Sequence, residues 1–160
     1  MEHYQMYING EWRGEDLTTI EVMNPATNDC FATVPNGGRV EAGQAVDAAS
    51  NAYIIWSEYS AYERADLIHK WHDLINEQLI DIAKTMTMEQ GKPLKEAIGE
   101  VNYANGFLSW YAEEAKRIYG EIIPATQRNK RLFVQKQPVG VVAVITPWNF
   151  PAAMITRKVA

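Results

Sequence analysis

Hydrophobic and polar positions change their period several times along the chain, and each change marks an element. From Tyr4 to Val34 short apolar stretches are separated by turn residues. Tyr7-Ile8 and Glu11-Trp12 flank Asn9-Gly10, a pair suited to a tight hairpin. Thr18–Met23 and Cys30–Val34 read as two more short strands around the turn cluster Asn24–Asp29. A helical period then takes over. Val40 to about Trp56 carries Val46, Ala49, Tyr53 and Trp56 at helical spacing. Ser60-Ala61-Tyr62-Glu63 is a capping-box pattern, and the helix behind it lines up Leu67, Ile68, Trp71, Leu74 and Ile75. A third helix runs from about Leu79 to Gln90 and stops at Gly91. Pro93 opens a fourth, whose stripe runs from Leu94 through Ala97, Ile98, Val101, Leu108, Tyr111, Ala112 and Ala115 to Ile118, with Gly120 ending it.

Beyond Gly120 the pattern returns to strands. Ile122-Ile123 and Arg131–Gln137, joined by the polar loop Thr126–Lys130, read as a hairpin. The run Val139–Ile145 is apolar, rich in β-branched residues and preceded by Pro138, which predicts a strand buried on both faces of a parallel sheet. Thr146-Pro147-Trp148-Asn149 makes a tight connection. Phe150 precedes a proline and is pushed toward an extended conformation. Pro151 suits the first position of a helix over residues 152–160. Strand, loop and helix form the first half of a βαβ unit, whose ligands bind at the carboxyl ends of strands. The expected fold class is therefore α/β. Such a strand needs neighbours on both edges, and the last helix lacks a stop signal, so residues 1–160 are expected to be the first third of a larger protein.

Composition narrows the class. The 160 residues are 47% hydrophobic and 22% charged, with a net charge of −5. These values fit a globular protein, and the absence of a basic block argues against nucleic acid or an anionic membrane as partner. No apolar run is long enough to span a bilayer. A single cysteine forms no internal disulfide, which makes the cytoplasm the default compartment.

Several motifs carry a resemblance. V-G-V-V-A-V-I-T-P-W-N-F-P, residues 139–151, resembles the first signature of the aldehyde dehydrogenase superfamily, and the extension A-A-M-I-T-R-K-V-A is similar to its succinate-semialdehyde dehydrogenase branch. Gly10-Glu11-Trp12, Asn24-Pro25-Ala26-Thr27, Glu89-Gln90-Gly91-Lys92-Pro93 and Gly120-Glu121-Ile122-Ile123-Pro124 fall in the family's order, so the resemblance covers nearly the whole chain. It implies the N-terminal part of an aldehyde dehydrogenase-like fold. Residues 1–121 would belong to the cofactor-binding domain and 122–138 to the hairpin of an oligomerisation arm. Residues 139–160 would begin the dinucleotide-binding sheet, and the catalytic domain would lie outside. The implied activity is oxidation of an aldehyde, succinate semialdehyde first, by NAD or NADP in a homodimer or homotetramer. Lactaldehyde and glutarate semialdehyde are the alternatives within the family. A non-catalytic interaction module is the alternative outside it, and the aggregation hazard of an exposed 139–145 run weighs against it.

The candidate chemistry gathers at the last turn. An Asn149 amide supplies donors that do not titrate, and the resemblance gives it the oxyanion of the reacting aldehyde. By itself, an asparagine before Phe-Pro reads first as a helix N-cap or an Asx turn, and a capping geometry would also fix its side chain. Ile145, Thr146, Pro147 and Trp148 are implied to contact the nicotinamide and its ribose, although a core-packed tryptophan is the simpler reading of Trp148. No G-x-G-x-x-G is present to seat the pyrophosphate. Arg157 is implied to clamp the substrate's distal carboxylate, with Phe150 lining the same tunnel, and Lys158 to relay protons near the catalytic centre. Without the resemblance, both cations read as a helix end or solvated face. Cys30 reads as a small core or edge residue, and the nucleophile and general base are implied to lie downstream. Glu89, Glu100, Glu113 and Glu114 read as helix-surface charges. His69 and His72 alone do not fill a zinc shell, so no metal is expected.

Overall fold

A computed structural model describes all of residues 1–160. Three small sheets and five helices make it up. Strand β1 (Glu2–His3) runs parallel to β5 (Cys30–Pro35), which pairs antiparallel with β4 (Thr19–Met23). Strands β2 (Met6–Ile8) and β3 (Glu11–Arg13) form the expected hairpin, with Asn9 and Gly10 both at positive φ as its two-residue turn requires. The Asn24–Asp29 turn is closed by its own residues. The Asn24 side chain accepts from the Ala26 amide at 3.0 Å, and Asn28 adopts φ 61°. Strand β1 has no counterpart in the sequence reading. Two residues carry no period, and only the edge of β5 makes them a strand.

The helices are α1 (Arg39–Glu58), α2 (Ala61–Glu77), α3 (Leu79–Gln90), α4 (Leu94–Ala115) and α5 (Pro151–Val159). Helix α4 is the axis, and α2, α3 and α5 all pack on it. Its stripe Ala97, Val101, Ala104, Leu108 and Ala112 is fully or almost fully buried, at the three-and-four spacing of one helix face. Alanine at so many of these positions lets neighbouring helices approach closely. Ala83 and Met86 of α3 join Ala97 and Val101 in one cluster, with Ala152 of α5 packed against it.

Four expectations need correction. Residues 139–145 form no strand. They join none of the three sheets, and without a paired strand a run of backbone donors and acceptors has no ladder. Val139 and Ile145 are about nine-tenths exposed, and Gly140 adopts φ 96°. Helix α1 buries none of its residues, so its apolar positions, Val46 and Trp56 included, face outward. Helix α4 ends at Ala115, five residues before Gly120, where Lys116 and Arg117 turn the chain. The expected second strand of the 122–138 hairpin contracts to β7 (Leu132–Val134), paired with β6 (Glu121–Ile123).

Helix α2 begins as its capping box requires. The Ser60 hydroxyl accepts from the Glu63 amide, and the Glu63 carboxylate accepts from the Ser60 amide at 2.8 Å. The Ser60 backbone N–H first, and its hydroxyl second, hold the Glu63 carboxyl below its ordinary value of 4.5. A carboxyl depressed in the folded state adds stability above that ordinary value and loses it as pH falls through the lower, folded one. Replacing Ser60 by alanine is expected to cost about 1 kcal/mol in denaturant unfolding near neutral pH. Replacing Glu63 by glutamine is expected to cost less as the pH is lowered from 6 to 3, because the acid by then removes the same charge from the native protein. A cost independent of pH over that range would show that the charge contributes nothing.

Candidate active site

The site is built around the start of α5. Pro151 occupies its first position, and Phe150 before it, at φ −136° and ψ 70°, takes the N-cap position. A phenylalanine has no oxygen to accept from the exposed N–H groups of a first turn. Helix α4 supplies one. The Glu100 side chain is 1% exposed, and its Oε1 accepts from the backbone N–H of Ala152 at 3.1 Å and of Ala153 at 3.5 Å. Its Oε2 pairs with the Lys92 ammonium. The positive end of a helix favours a carboxylate here, and the buried charge is compensated by hydrogen bonds and by the lysine.

Lys92 also reaches the turn itself. Its Nζ donates to the Asn149 carbonyl oxygen at 3.0 Å and lies 4.5 Å from the centre of the Phe150 ring. The Gln90 side-chain amide donates to the Trp148 carbonyl oxygen. Between them, Gly91 adopts the left-handed conformation at φ 73° that ends α3 and reverses the chain. A side chain there would be strained and would meet the Pro25 ring at 2.9 Å. The Gln90-Gly91-Lys92 corner thus sets two polar side chains against the backbone of Trp148 and Asn149.

The Asn149 side chain does not cap α5, contrary to one of the two roles its sequence position allows. Glu100 does that work. The Asn149 amide is exposed and uncommitted to the chain. Trp148 is 81% exposed, which corrects the core-packed reading. No backbone hydrogen bond engages Ile145, Thr146 or Pro147, so their carbonyls are open to a ribose hydroxyl beside a bare indole face. These features fit the nicotinamide end of a dinucleotide. The N-terminus of α5, a common phosphate seat in βα units, is already filled by Glu100.

Arg157 and Lys158 stand in the last turn of α5, both exposed and neither paired with a carboxylate of the chain. The guanidinium lies against Met154 sulfur and 5.6 Å from the centre of the Phe107 ring. The Lys158 ammonium donates to the Met154 carbonyl at 3.3 Å, as cations near helix C-termini do. Cys30 lies at the start of β5, its sulfur 3.3 Å from the Ala32 carbonyl oxygen. His69 pairs with Glu113 and His72 with Asp73, so the two rings do not converge. Glu113 is held below the ordinary carboxylate value by Lys116 first and His69 second.

Glu100 overturns its reading as a surface charge, and its importance was in reach of the periodicity. It stands three residues after Ala97 and four before Ala104, on the buried stripe of α4. A glutamate on a buried stripe demands a partner. The identity of that partner, a lysine eight residues earlier in a bend, has no local signature.

Short strands, a layer of helices and an asparagine-bearing turn that leads into a proline-initiated helix make this an α/β protein with one candidate site at that turn. Residues 12–160 match the aldehyde dehydrogenase family, and the chain belongs to it. It is 55% identical over 155 residues to a glutarate-semialdehyde dehydrogenase of Pseudomonas putida, covering 96% of this chain and 32% of that protein. Over the same shares it is 53% identical to the NADP(+) succinate-semialdehyde dehydrogenase of Escherichia coli. A solved succinate-semialdehyde dehydrogenase from Burkholderia pseudomallei superposes with a TM-score of 0.94 at 48% identity, over 98% of this chain and 33% of that one. The chain therefore spans about a third of the length of the relatives it matches. No helix in it is long and apolar enough to cross a membrane.

Removing one member of the Glu100–Lys92 pair strands the other charge in a low-polarity site. Lys92→Met is expected to cost about 3–5 kcal/mol, and the double change Lys92→Met with Glu100→Leu to cost less than Lys92→Met alone. Unfolding free energies of the three proteins check the order; a double variant weaker than the single one would overturn it.

Proposed function

We propose that the whole protein to which this chain belongs oxidises an aldehyde that carries a carboxylate at its far end, succinate semialdehyde first, to the dicarboxylic acid. The observation that carries this reading is the Asn149 amide, left free at the end of the P-W-N-F-P turn because Glu100 caps the helix behind it. A cysteine thiolate outside this chain attacks the aldehyde carbon. Charge then collects on the aldehyde oxygen, and the Asn149 amide donates to it. A bound NAD or NADP would supply the acceptor for the hydride that leaves the same carbon. Ile145, Thr146, Pro147 and Trp148 hold the nicotinamide end through open carbonyls and the indole face. A glutamate outside the chain activates the water that frees the acid.

A fixed donor at a developing oxyanion contributes roughly 3 kcal/mol of transition-state stabilisation. Fixing matters as much as donation, and the turn around Asn149 is held at two carbonyls, with the helix behind it capped. Arg157 is unpaired in the chain and is read as the clamp for the distal carboxylate, with Phe150 beside the path and Lys158 near the reacting end. NADP is supported by the similarity to the E. coli NADP(+) succinate-semialdehyde dehydrogenase. Glutarate semialdehyde is the second reading, favoured by the 55% identity to a glutarate-semialdehyde dehydrogenase. The two substrates share an aldehyde and a carboxylate and differ by one methylene, which Arg157 alone does not discriminate. Association into a dimer or tetramer through the β6–β7 hairpin is part of the same reading. It is supported by exposed Ile122 and Phe133 on that hairpin.

Three experiments test the reading. In the whole enzyme, Asn149→Ala is expected to lower kcat by about 10²–10³ with little change in KM. Arg157→Leu is expected to raise KM for succinate semialdehyde sharply while sparing a neutral aldehyde of similar size. Equal losses with both aldehydes would remove Arg157 from the substrate site. Residues 1–160 alone, lacking a nucleophile, are expected to reduce no NAD(P)⁺; absorbance growth at the reduced-nicotinamide band with the isolated chain would contradict that.

A further inference from the structure

We infer that Gln90, Lys92 and Glu100 form a clasp that positions the Asn149 amide for the oxyanion, so that these three residues control the rate of the chemical step through a side chain they do not touch. The inference rests on the oxyanion reading of Asn149. Its geometry is independent of that reading.

Three anchors define the clasp. Gln90 donates to the carbonyl of Trp148, and Lys92 donates to the carbonyl of Asn149. Glu100 accepts the N–H groups of Ala152 and Ala153. The anchors bracket the asparagine, with two on the turn at and before it and one on the helix after it. Lys92 and Glu100 are themselves paired, and Glu100 is buried on the stripe of α4. The turn is therefore referenced to α4, the helix on which α2, α3 and α5 pack. Its other side is irregular backbone with no ladder of its own. Within residues 1–160 these three anchors are what join the turn to α3 and α4. Glu100 also frees the amide by capping α5, a task that would otherwise fall to the nearest polar side chain, Asn149 itself. A catalytic donor displaced by about 1 Å forfeits much of its effect.

The test is a double-mutant cycle in the whole enzyme with succinate semialdehyde and NADP⁺. Glu100→Gln keeps the volume of the side chain and one acceptor but breaks the charge pair. It is expected to lower kcat at least tenfold, with KM for NADP⁺ within about twofold of wild type. In an Asn149→Ala background the same change is expected to lower kcat less than twofold further, because the donor it positions is gone. Gln90→Leu, which removes a half-buried side chain and leaves the core intact, is expected to show the same non-additivity with a loss of about threefold. It also keeps the inference testable if Glu100→Gln does not fold. Equal losses in both backgrounds would mean that the clasp does not act through Asn149, and a lowered melting temperature with kcat unchanged that it serves stability alone; either overturns the inference. An Asn149→Ala enzyme with wild-type kcat would overturn the oxyanion reading itself and the clasp's role with it. The Asn149→Ala arm thus separates failure of that reading from failure of the clasp.

Discussion

A carboxylate that caps a helix other than its own is the contact on which the end of this chain depends. Glu100 belongs to α4, yet its oxygen takes the first free N–H groups of α5. The placement joins two constraints. A helix that begins Phe-Pro has no oxygen at its N-cap, and a glutamate on a buried stripe must find compensation. Each resolves the other. Lys92 completes the charge balance and extends the contact to the Asn149 carbonyl, so one buried ion pair orients both the helix and the turn before it.

The same economy of contacts leaves much of the molecule open. Only 15 of 160 residues are buried, and the apolar sides of α1, of the β6–β7 hairpin and of residues 139–145 face outward. Surface of this kind calls for cover. The family to which the chain belongs supplies an account, since relatives at about half identity are some three times its length. The free Asn149 amide, the bare Trp148 indole and the unpaired Arg157 have the same character. They are polar or flat groups presented by an ordered scaffold and not consumed by it.

Helix periodicity, the capping box at Ser60–Glu63, the Asn9-Gly10 hairpin and the stop at Gly91 were all legible, because each depends on residues within one turn of one another. The motifs around Asn149 were legible as a resemblance. The role of Glu100 was not read, although the spacing of Ala97, Val101 and Ala104 encloses it. Charge outweighed position in that reading, and a glutamate in a helix is usually solvated.

Sequence by itself determined the order of the helices and of the two hairpins, the buried face of α4, the α/β class and the turn that carries Asn149, since these follow from local period and turn chemistry. Tertiary structure alone decided that Glu100 caps α5, that Lys92 and Gln90 hold the carbonyls of the turn, and that Asn149 is thereby free. It also decided that the β-branched run Val139–Ile145 is not a strand here. In every one of these cases the deciding partner is remote in the chain or lacking from it. A hydrogen bond across 52 residues, or a ladder that needs a second strand, has no imprint on the residues that flank it.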